Sequence, residues 1–286
     1  FNVSNPLPAL VDGALSAARF RRPVSLAELP GGRGIVVVDA GNKVLRMIRL
    51  DQGEKQVVKT AEVGGWLQPR GICAVLEGGA GFVVCDKGLH TVRLTSASGK
   101  RVSTLAGRSG KPGFVDGPAS GSRFSEPVAA CLAPHSGGGG GLVVGGSGSA
   151  AGSGAAAGGY GSNRSGGTGV LIADRGNHRI RRICGGVVST VAGSGDEGEV
   201  DGPALRASLS APTGLLVLPD GRVIISQASG ALRLLSADFA RLSTLASPDA
   251  FRCGGLCLDR TGGFLASDTR NHVVLSFPRP DDRPGP

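Results

Sequence analysis

The side chains in this chain best suited to metal chemistry are its four histidines. A catalytic zinc needs about three protein ligands around an open position, and imidazole is one of its common ligands. His90, His178 and His272 each stand in the same short pattern, a turn between two apolar runs, while His135 opens a stretch of Gly, Ser and Ala. Because these three histidines occupy equivalent positions in different repeats, we expect them to be too far apart to bind one ion. We therefore expect no metal site, no cofactor and no catalytic residue, and interpret the chain as non-enzymatic.

The sequence also contains few motifs that would indicate other kinds of catalysis or ligand binding. No segment resembles a nucleophile elbow or a phosphate-binding loop, because the many Gly-x-Gly strings lie in low-complexity sequence with no helix after them. The formal net charge is +9, carried mostly by arginine. This charge favours an anionic partner, but the basic residues are scattered instead of forming blocks, which is typical of a solvated basic surface.

Composition indicates one large domain with a low-complexity insert. The 286 residues are 40% hydrophobic, which is enough to bury the core of a single all-β domain spanning 1–286. Residues 136–169 are nearly all Gly, Ser and Ala, so they cannot bury enough apolar surface to offset their ordering entropy, and we predict a flexible insert. No apolar run reaches the roughly 18 residues of a membrane span. Because the chain begins with Phe1, we expect a fragment or a processed form.

One spaced pattern occurs three times without gaps. Each copy begins with Val-Asp-Gly, continues to a bulky apolar residue and ends in Pro; the copies are 11–23, 115–127 and 200–212. Asp-Gly pairs are typical of turns, since Gly accepts backbone angles that other residues avoid. We interpret these copies as the turns that join successive units of a repeat.

Each unit also contains two apolar runs separated by a tight turn. The first runs end in Asp and are 35–39, 82–86, 170–174 and 264–268, with 223–226 as a degenerate copy ending in Ser226. The second runs are 42–48, 90–94, 177–183, 231–235 and 271–277. Short runs rich in β-branched residues and bounded by Gly, Asp and Asn predict strands and hairpins.

Four short strands recurring about every 45 residues are typical of a propeller blade. The residues 174–183, followed by 188–193 and Val200-Asp201-Gly202, resemble the NHL repeat. The resemblance implies an all-β propeller with five visible blades, or six if one is lost by truncation. The last unit stops after its third strand at Phe277, so we predict that residues 1–10 supply its outer strand and close the ring.

Residues repeated in every unit are interpreted as scaffold. The Asp at the end of the second strand is predicted to accept hydrogen bonds from the following turn; these are Asp39, Asp86, Asp174 and Asp268. One slot of the third strand holds an arginine, which we expect to pair with a carboxylate of a neighbouring blade; these are Arg46, Arg93, Arg181 and Arg233. The cysteines occupy apolar slots and are predicted to be reduced core thiols.

The resemblance also implies classes of function. NHL propellers are protein-docking modules, some in tripartite-motif proteins bind RNA, and related propellers include a zinc-dependent amidating lyase and calcium-holding lactonases. We favour a non-catalytic protein–protein interaction platform that is one module of a larger protein. RNA or anionic-ligand binding through a basic face is the alternative, and a metal-dependent lyase or lactonase is the second alternative.

The candidate binding face is formed by the turns after the second strands and by the starts of the blades. Its basic residues are Arg21, Arg22, Arg70, Lys87, Arg175, Arg252 and Arg270. Such residues can contact phosphates. However, the turn carboxylates and Glu126 lie nearby in sequence, and the aromatic side chains that stack on RNA bases are scarce. We therefore favour a protein partner over RNA, and expect Trp66 in the core.

Overall fold

The computed structural model describes residues 10–50, 57–61, 64–75, 81–133, 169–248 and 251–280. Within these ranges the chain forms 22 strands in five antiparallel sheets, with two single turns of 3-10 helix at Pro30–Gly32 and Arg175–Asn177. The sheets are the blades of a five-bladed β-propeller, which confirms the predicted fold class. No helix in the described ranges is long and apolar enough to cross a membrane.

Contacts group the chain into two compact units, residues 1–115 with 120–130 and residues 116–119 with 131–286. The first unit contains blades 1 and 2. Blade 1 consists of β1 (Gly13–Ala14), β2 (Pro23–Glu28), β3 (Gly34–Asp39), β4 (Val44–Arg49) and β5 (Val57–Thr60), in the order β1-β5-β4-β3-β2. Blade 2 consists of β6 (Pro69–Val75), β7 (Gly81–Asp86), β8 (Thr91–Ser96) and β9 (Val102–Ala106), in sequence order.

The second unit contains most of blade 3 and all of blades 4 and 5. Blade 3 consists of β10 (Gly117–Pro118), β11 (Pro127–Leu132), β12 (Val170–Asp174), β13 (Arg179–Cys184) and β14 (Val187–Ala192). Blade 4 consists of β15 (Gly202–Pro203), β16 (Pro212–Val217), β17 (Val223–Gln227), β18 (Leu232–Leu235) and β19 (Arg241–Ala246). Blade 5 consists of β20 (Cys253–Leu258), β21 (Phe264–Asp268) and β22 (Val273–Phe277).

The second strand of each blade has the largest share of buried residues. Every residue of β7, β12 and β17 is buried, which explains their near-continuous apolar sequences. The strand register corrects one prediction. Pro23 pairs with Asp39 and Pro212 pairs with Gln227, so Gln227 and not Ser226 holds the Asp slot of blade 4.

The Val-Asp-Gly segments do more than connect blades. Gly13 pairs with Val58, Gly117 with Val188 and Gly202 with Leu242, so each segment adds a two-residue fifth strand to its sheet. The sequence predicted only a turn at these places. The added strands β1, β10 and β15 cover the outer edges of blades 1, 3 and 4.

Apolar side chains from successive blades form the cores. In the first unit, Trp66 is 5% exposed and packs with Val36, Ile72 and Phe82, which confirms its predicted core position. In the second unit, Phe264 stacks on Phe277 with ring centroids 4.8 Å apart.

Two predictions fall largely outside the described residues. The insert at 136–169 lies outside them except for Gly169, and the strand expected from residues 1–10 lies outside them except for Leu10. Closure of the ring by that strand therefore stays a prediction, as does the single domain 1–286.

Candidate functional site

The turn end of each blade, where the second strand leads through a turn into the third and the inner strand begins, is organised around one carboxylate. In blade 5, Asp268 Oδ1 accepts hydrogen bonds from the backbone N–H groups of Arg252 at 3.1 Å and Arg270 at 2.9 Å. Asp268 Oδ2 accepts a bond from the side-chain amide of Asn271 at 2.6 Å. The carboxylate thus fixes both the turn and the start of the inner strand.

Blades 1 and 2 repeat this arrangement. Asp39 accepts hydrogen bonds from the Arg21 N–H at 2.7 Å and the Asn42 amide at 2.8 Å. Asp86 accepts bonds from the N–H groups of Leu67 and Gln68, both at 2.9 Å. The predicted scaffold role of the turn Asp is confirmed, and Asp39, Asp86 and Asp268 are at most 2% exposed.

In blades 1 and 3 a buried arginine neutralises much of the charge of the turn Asp. Arg46 reaches Asp39 at 3.3 Å and Asp12 at 2.8 Å. Arg181 reaches Asp174 at 2.8 Å and Asp116 at 2.5 Å. The acceptors belong to the same sheet as the arginine, so the expected pairing with a neighbouring blade is wrong. The segment before each added strand supplies the second carboxylate, and sequence spacing alone gave no sign of it.

Blade 4 reaches the same result with different residues. Gln227 Oε1 accepts the Ser210 N–H at 2.7 Å, which replaces one function of the missing Asp. The negative charge comes instead from Glu199, which pairs with Arg233 at 3.1 Å; Asp201 lies on the other side of Arg233 at 2.7 Å. Arg233 is therefore still paired with carboxylates of its own blade, although the repeat motif is incomplete there.

Two of the second carboxylates, Asp12 and Asp201, have lowered pKa values because of these contacts. Burial favours the protonated form of Asp201, but hydrogen bonds from Thr244 and Arg233 and the charge of Arg233 outweigh it, so the pKa of Asp201 lies below its usual 3.8. Asp12 has a lowered pKa for the same reasons, with Thr60 and Arg46 as the partners. These carboxylates are occupied inside their own blades.

The histidine slot is also structural in two blades. His90 and His178 adopt left-handed backbone, with φ of 56° and 53°. The His90 Nδ1 accepts the Glu126 N–H at 3.2 Å, and the His178 Nδ1 accepts the Ala211 N–H at 3.1 Å. Each ring therefore binds the residue that precedes the inner strand of the next blade. The described part of the chain contains no group of three His, Cys, Asp or Glu residues placed to hold a metal ion.

The predicted basic residues all lie at the turn ends of their blades, but they differ in exposure. Arg21, Arg22, Arg252 and Arg270 are exposed, whereas Arg70, Lys87 and Arg175 are half-buried. Lys87 is neutralised in part by Glu126, whose carboxylate lies 3.3 Å from the Lys87 Nζ. Of the predicted basic residues in the first unit, Arg21 and Arg22 are the exposed ones. In the second unit the structure brings Arg252 and Arg270 together over Asp268.

The turn end also carries uncharged and acidic positions. Glu197 accepts a hydrogen bond from Ser210 at 2.9 Å, and Glu199 accepts one from Ser229 at 2.6 Å, so acidic side chains lie at the turn end of blade 4. Trp66 is buried under Arg93, whose guanidinium lies 4.6 Å from the ring centroid. Among the large hydrophobic residues that the structure describes as strongly exposed, Phe114 is the one aromatic side chain. Within the described ranges, this surface carries exposed arginines but no set of stacking aromatic rings.

The six cysteines are free thiols. Cys85 is completely buried, as predicted, and burial raises the pKa of Cys73 to about 12. Cys257 is exposed, so the core position expected for it is wrong. Its strand, β20, buries fewer residues than the inner strands of the other blades.

Comparison with known proteins identifies the fold but no family. No protein-family model matches the chain, and no curated protein matches it. Among solved structures, a nidogen/laminin complex matches with a TM-score of 0.60 at 13% identity, covering 91% of this chain and 76% of that chain. A gluconolactonase from Xanthomonas campestris matches with a TM-score of 0.57 at 17% identity, covering 87% and 70%.

A third match shows that larger proteins contain this architecture. A protein of unknown function from Bacteroides thetaiotaomicron VPI-5482 matches with a TM-score of 0.55 at 17% identity, covering 78% of this chain. This chain spans 48%, about half, of the length of that protein. At such identities the matches establish architecture alone, and the chain is by fold a β-propeller.

Proposed function

We propose that the chain is a non-catalytic propeller of NHL type that binds a protein partner through the turn ends of its blades, as one module of a larger protein. The observation that carries this proposal is the pair Arg252 and Arg270. Their backbone N–H groups are both fixed on buried Asp268, while their side chains are exposed. Asp268 binds backbone and amide N–H groups of the turn, so the two exposed arginine side chains extend from a fixed backbone.

Exposed arginines of this kind suit an acidic patch on a protein. A guanidinium binds a carboxylate through two parallel hydrogen bonds, and such charge complementarity selects and orients a partner. The Arg21 and Arg22 pair of blade 1 presents the same chemistry in the first unit. The nidogen/laminin match supports the proposal in a general way, since that propeller-like structure is a complex between proteins.

RNA is the less favoured ligand. Binding of single-stranded RNA relies on a continuous positive track with aromatic side chains on which bases stack. Here Glu126 lies against Lys87, Glu197 and Glu199 occupy blade 4, and Trp66 is buried. A mixed-charge surface without stacking rings favours protein over RNA.

Affinity capture with matched charge variants tests the proposal. The full chain, the double variant Arg252→Glu/Arg270→Glu and the control Arg206→Glu/Arg241→Glu are used as baits in RNase-treated extract. Arg206 and Arg241 are exposed residues of blade 4 away from its turn end, so the two variants change net charge equally. We expect proteins shared by the wild type and the control to fall by about tenfold on the turn-end variant.

Three results would contradict the proposal. Equal capture by all three baits would show that the turn-end arginines do not bind. Capture that depends on RNA would favour the nucleic-acid alternative. Stoichiometric zinc or calcium in the purified protein would favour the metal-dependent enzyme alternative, and the gluconolactonase match shows that a similar fold occurs in an enzyme.

A further inference from the structure

The outer edge of blade 2 differs from the outer edges of blades 1, 3 and 4. In those three blades a two-residue strand pairs with the last long strand, as Gly13 does with Val58. In blade 2, the described residues form four strands, and β9 is the outermost of them. Among the described residues none pairs with the outer backbone edge of Val102–Ala106, whereas the counterparts of this strand in blades 1, 3 and 4 are paired.

Within the described residues, no acidic side chain occupies the place at this edge that Asp12 and Asp201 hold in blades 1 and 4. In blade 1, Asp12 accepts hydrogen bonds from the Thr60 N–H at 2.8 Å and the Thr60 hydroxyl at 2.9 Å. Asp201 makes the same two bonds to Thr244, at 3.0 and 2.9 Å. Thr104 holds this position in β9, since it pairs with Arg93 as Thr60 pairs with Arg46. Thr104 is exposed, and no described carboxylate contacts it.

The equivalent arginine of blade 2, Arg93, is half-buried and makes fewer contacts. Arg46 Nη1 donates to the Arg19 carbonyl at 2.7 Å, and Arg46 Nη2 donates to the Val11 carbonyl at 2.7 Å and pairs with Asp12 at 2.8 Å. Arg93 Nη1 makes the first contact, with the Gly65 carbonyl at 2.8 Å. Within the described part of the chain, Arg93 makes neither the second carbonyl contact nor the carboxylate contact.

The local sequence explains the difference. Between Thr104 in β9 and Pro127, where the next inner strand begins, the chain contains Val115-Asp116-Gly117. The corresponding connection into blade 2 runs only from Thr60 to Pro69, and it contains no Val-Asp-Gly. Blade 2 has thus kept the arginine and the threonine but lost the segment that binds them in the other blades.

We propose that the outer edge of blade 2 binds an extended acidic peptide of aliphatic–Asp–Gly sequence from another protein, which adds a short strand to β9. The peptide backbone pairs with this edge, as in other cases of strand addition. The peptide carboxylate accepts hydrogen bonds from Thr104 and Arg93.

The peptide glycine is needed for its backbone. Gly13, Gly117 and Gly202 have φ of 132°, 113° and 142°, a region that other residues rarely adopt. This edge is a different surface from the turn ends, so the proposal does not rest on the proposed function.

A synthetic peptide with the sequence of residues 113–120 is the direct probe, because it contains the segment that fills this position in blade 3. The peptide carries a fluorophore, and its anisotropy is followed while the full chain is added. We expect saturable binding that weakens at least about tenfold when the peptide Asp is replaced by Asn, since one charged acceptor is lost.

Matched variants locate the binding. Thr104→Pro removes the outward N–H of an edge strand, where proline is tolerated, and we expect loss of binding. Arg93→Gln, which removes the cation, is expected to weaken binding at least about tenfold. Ser103→Ala, next to Thr104 in β9, is the control and should bind like the wild type.

Circular dichroism and thermal unfolding show whether each variant is folded. If Thr104→Pro does not fold, the binding measured with Arg93→Gln tests the proposal instead. The proposal is overturned if the folded wild type shows no saturable binding, or if the Asp and Asn peptides bind equally. It is also overturned if the folded edge variants bind like the control. Retained binding by Arg252→Glu/Arg270→Glu separates this site from the turn ends.

Discussion

Arg181 Nη1 lies 2.8 Å from Asp174 Oδ2, and both side chains are completely buried. The same guanidinium reaches Asp116 on its other side. One cation therefore ties the end of β12 to the segment that begins β10, within a single blade. Because Arg46 and Arg233 make equivalent ties, we regard this slot as scaffold and the exposed turn-end arginines as the binding groups.

Removing the buried cation should cost much more than removing a surface cation. Arg181→Ala is expected to lower the free energy of unfolding by about 3–5 kcal/mol, because Asp174 stays buried without its partner. Arg222→Ala is the control, since Arg222 pairs with Asp220 at 2.6 Å near the surface, and its loss should cost at most about 1 kcal/mol. Denaturant unfolding measures both. Similar losses would show that the buried tie is not structural.

Stability should fall in acid because Asp12 and Asp201 have lowered pKa values. A carboxyl whose pKa is lower in the folded chain stabilises the fold above its unfolded pKa, and this contribution is lost as the pH falls through the folded pKa. The loss should therefore begin near the usual value of 3.8 and continue below it. Asp201→Asn should flatten this part of the curve of unfolding free energy against pH. An unchanged slope would contradict the assignment.

The left-handed residue before the blade 4 inner strand is a site of backbone strain. Ala211 has φ of 45° and is held by the His178 ring. Ala211→Gly should raise the free energy of unfolding by up to about 1 kcal/mol, because glycine adopts this conformation without penalty. Ala204 is buried without a left-handed backbone, so Ala204→Gly should instead lose about 0.5–1 kcal/mol. Destabilisation by both changes would argue against strain at Ala211.

Thiol labelling of the native chain should distinguish the cysteines. Cys257 is exposed and should react first with a thiol-specific reagent at mildly alkaline pH. Cys85 is buried, and the pKa of Cys73 is about 12, so both should react slowly. Mass spectrometry of digested protein gives the rates, and denaturant should make the three alike. Fast native labelling of Cys85 would contradict its core position.

Much of the fold can be predicted from sequence because the blades are built from local hairpins. Apolar runs that end in Asp, such as 35–39 and 170–174, coincide with β3 and β12. The turn role of Asp268 follows from its place before Arg270 and Asn271. These relationships lie within a few residues, where spacing carries the signal.

Relationships between distant segments are harder to predict. The pairing of Arg46 with Asp12 depends on how the added strand is placed, which no local pattern reveals. In blade 4 the Asp slot is shifted by one residue, and its charge comes from Glu199 in a remote loop. The exposure of side chains at the turn ends depends on three-dimensional packing. The sequence analysis therefore placed the half-buried Lys87 and Arg70 in the same basic face as the exposed Arg252.

The most direct test of partner binding at the turn ends is amide hydrogen exchange of the full chain, with and without the protein recovered by affinity capture. We predict that bound partner slows exchange around the turn of residues 268–272 and at Arg252, where backbone groups surround Asp268. Slowed exchange confined to other parts of the chain, with these residues unchanged, would contradict the account.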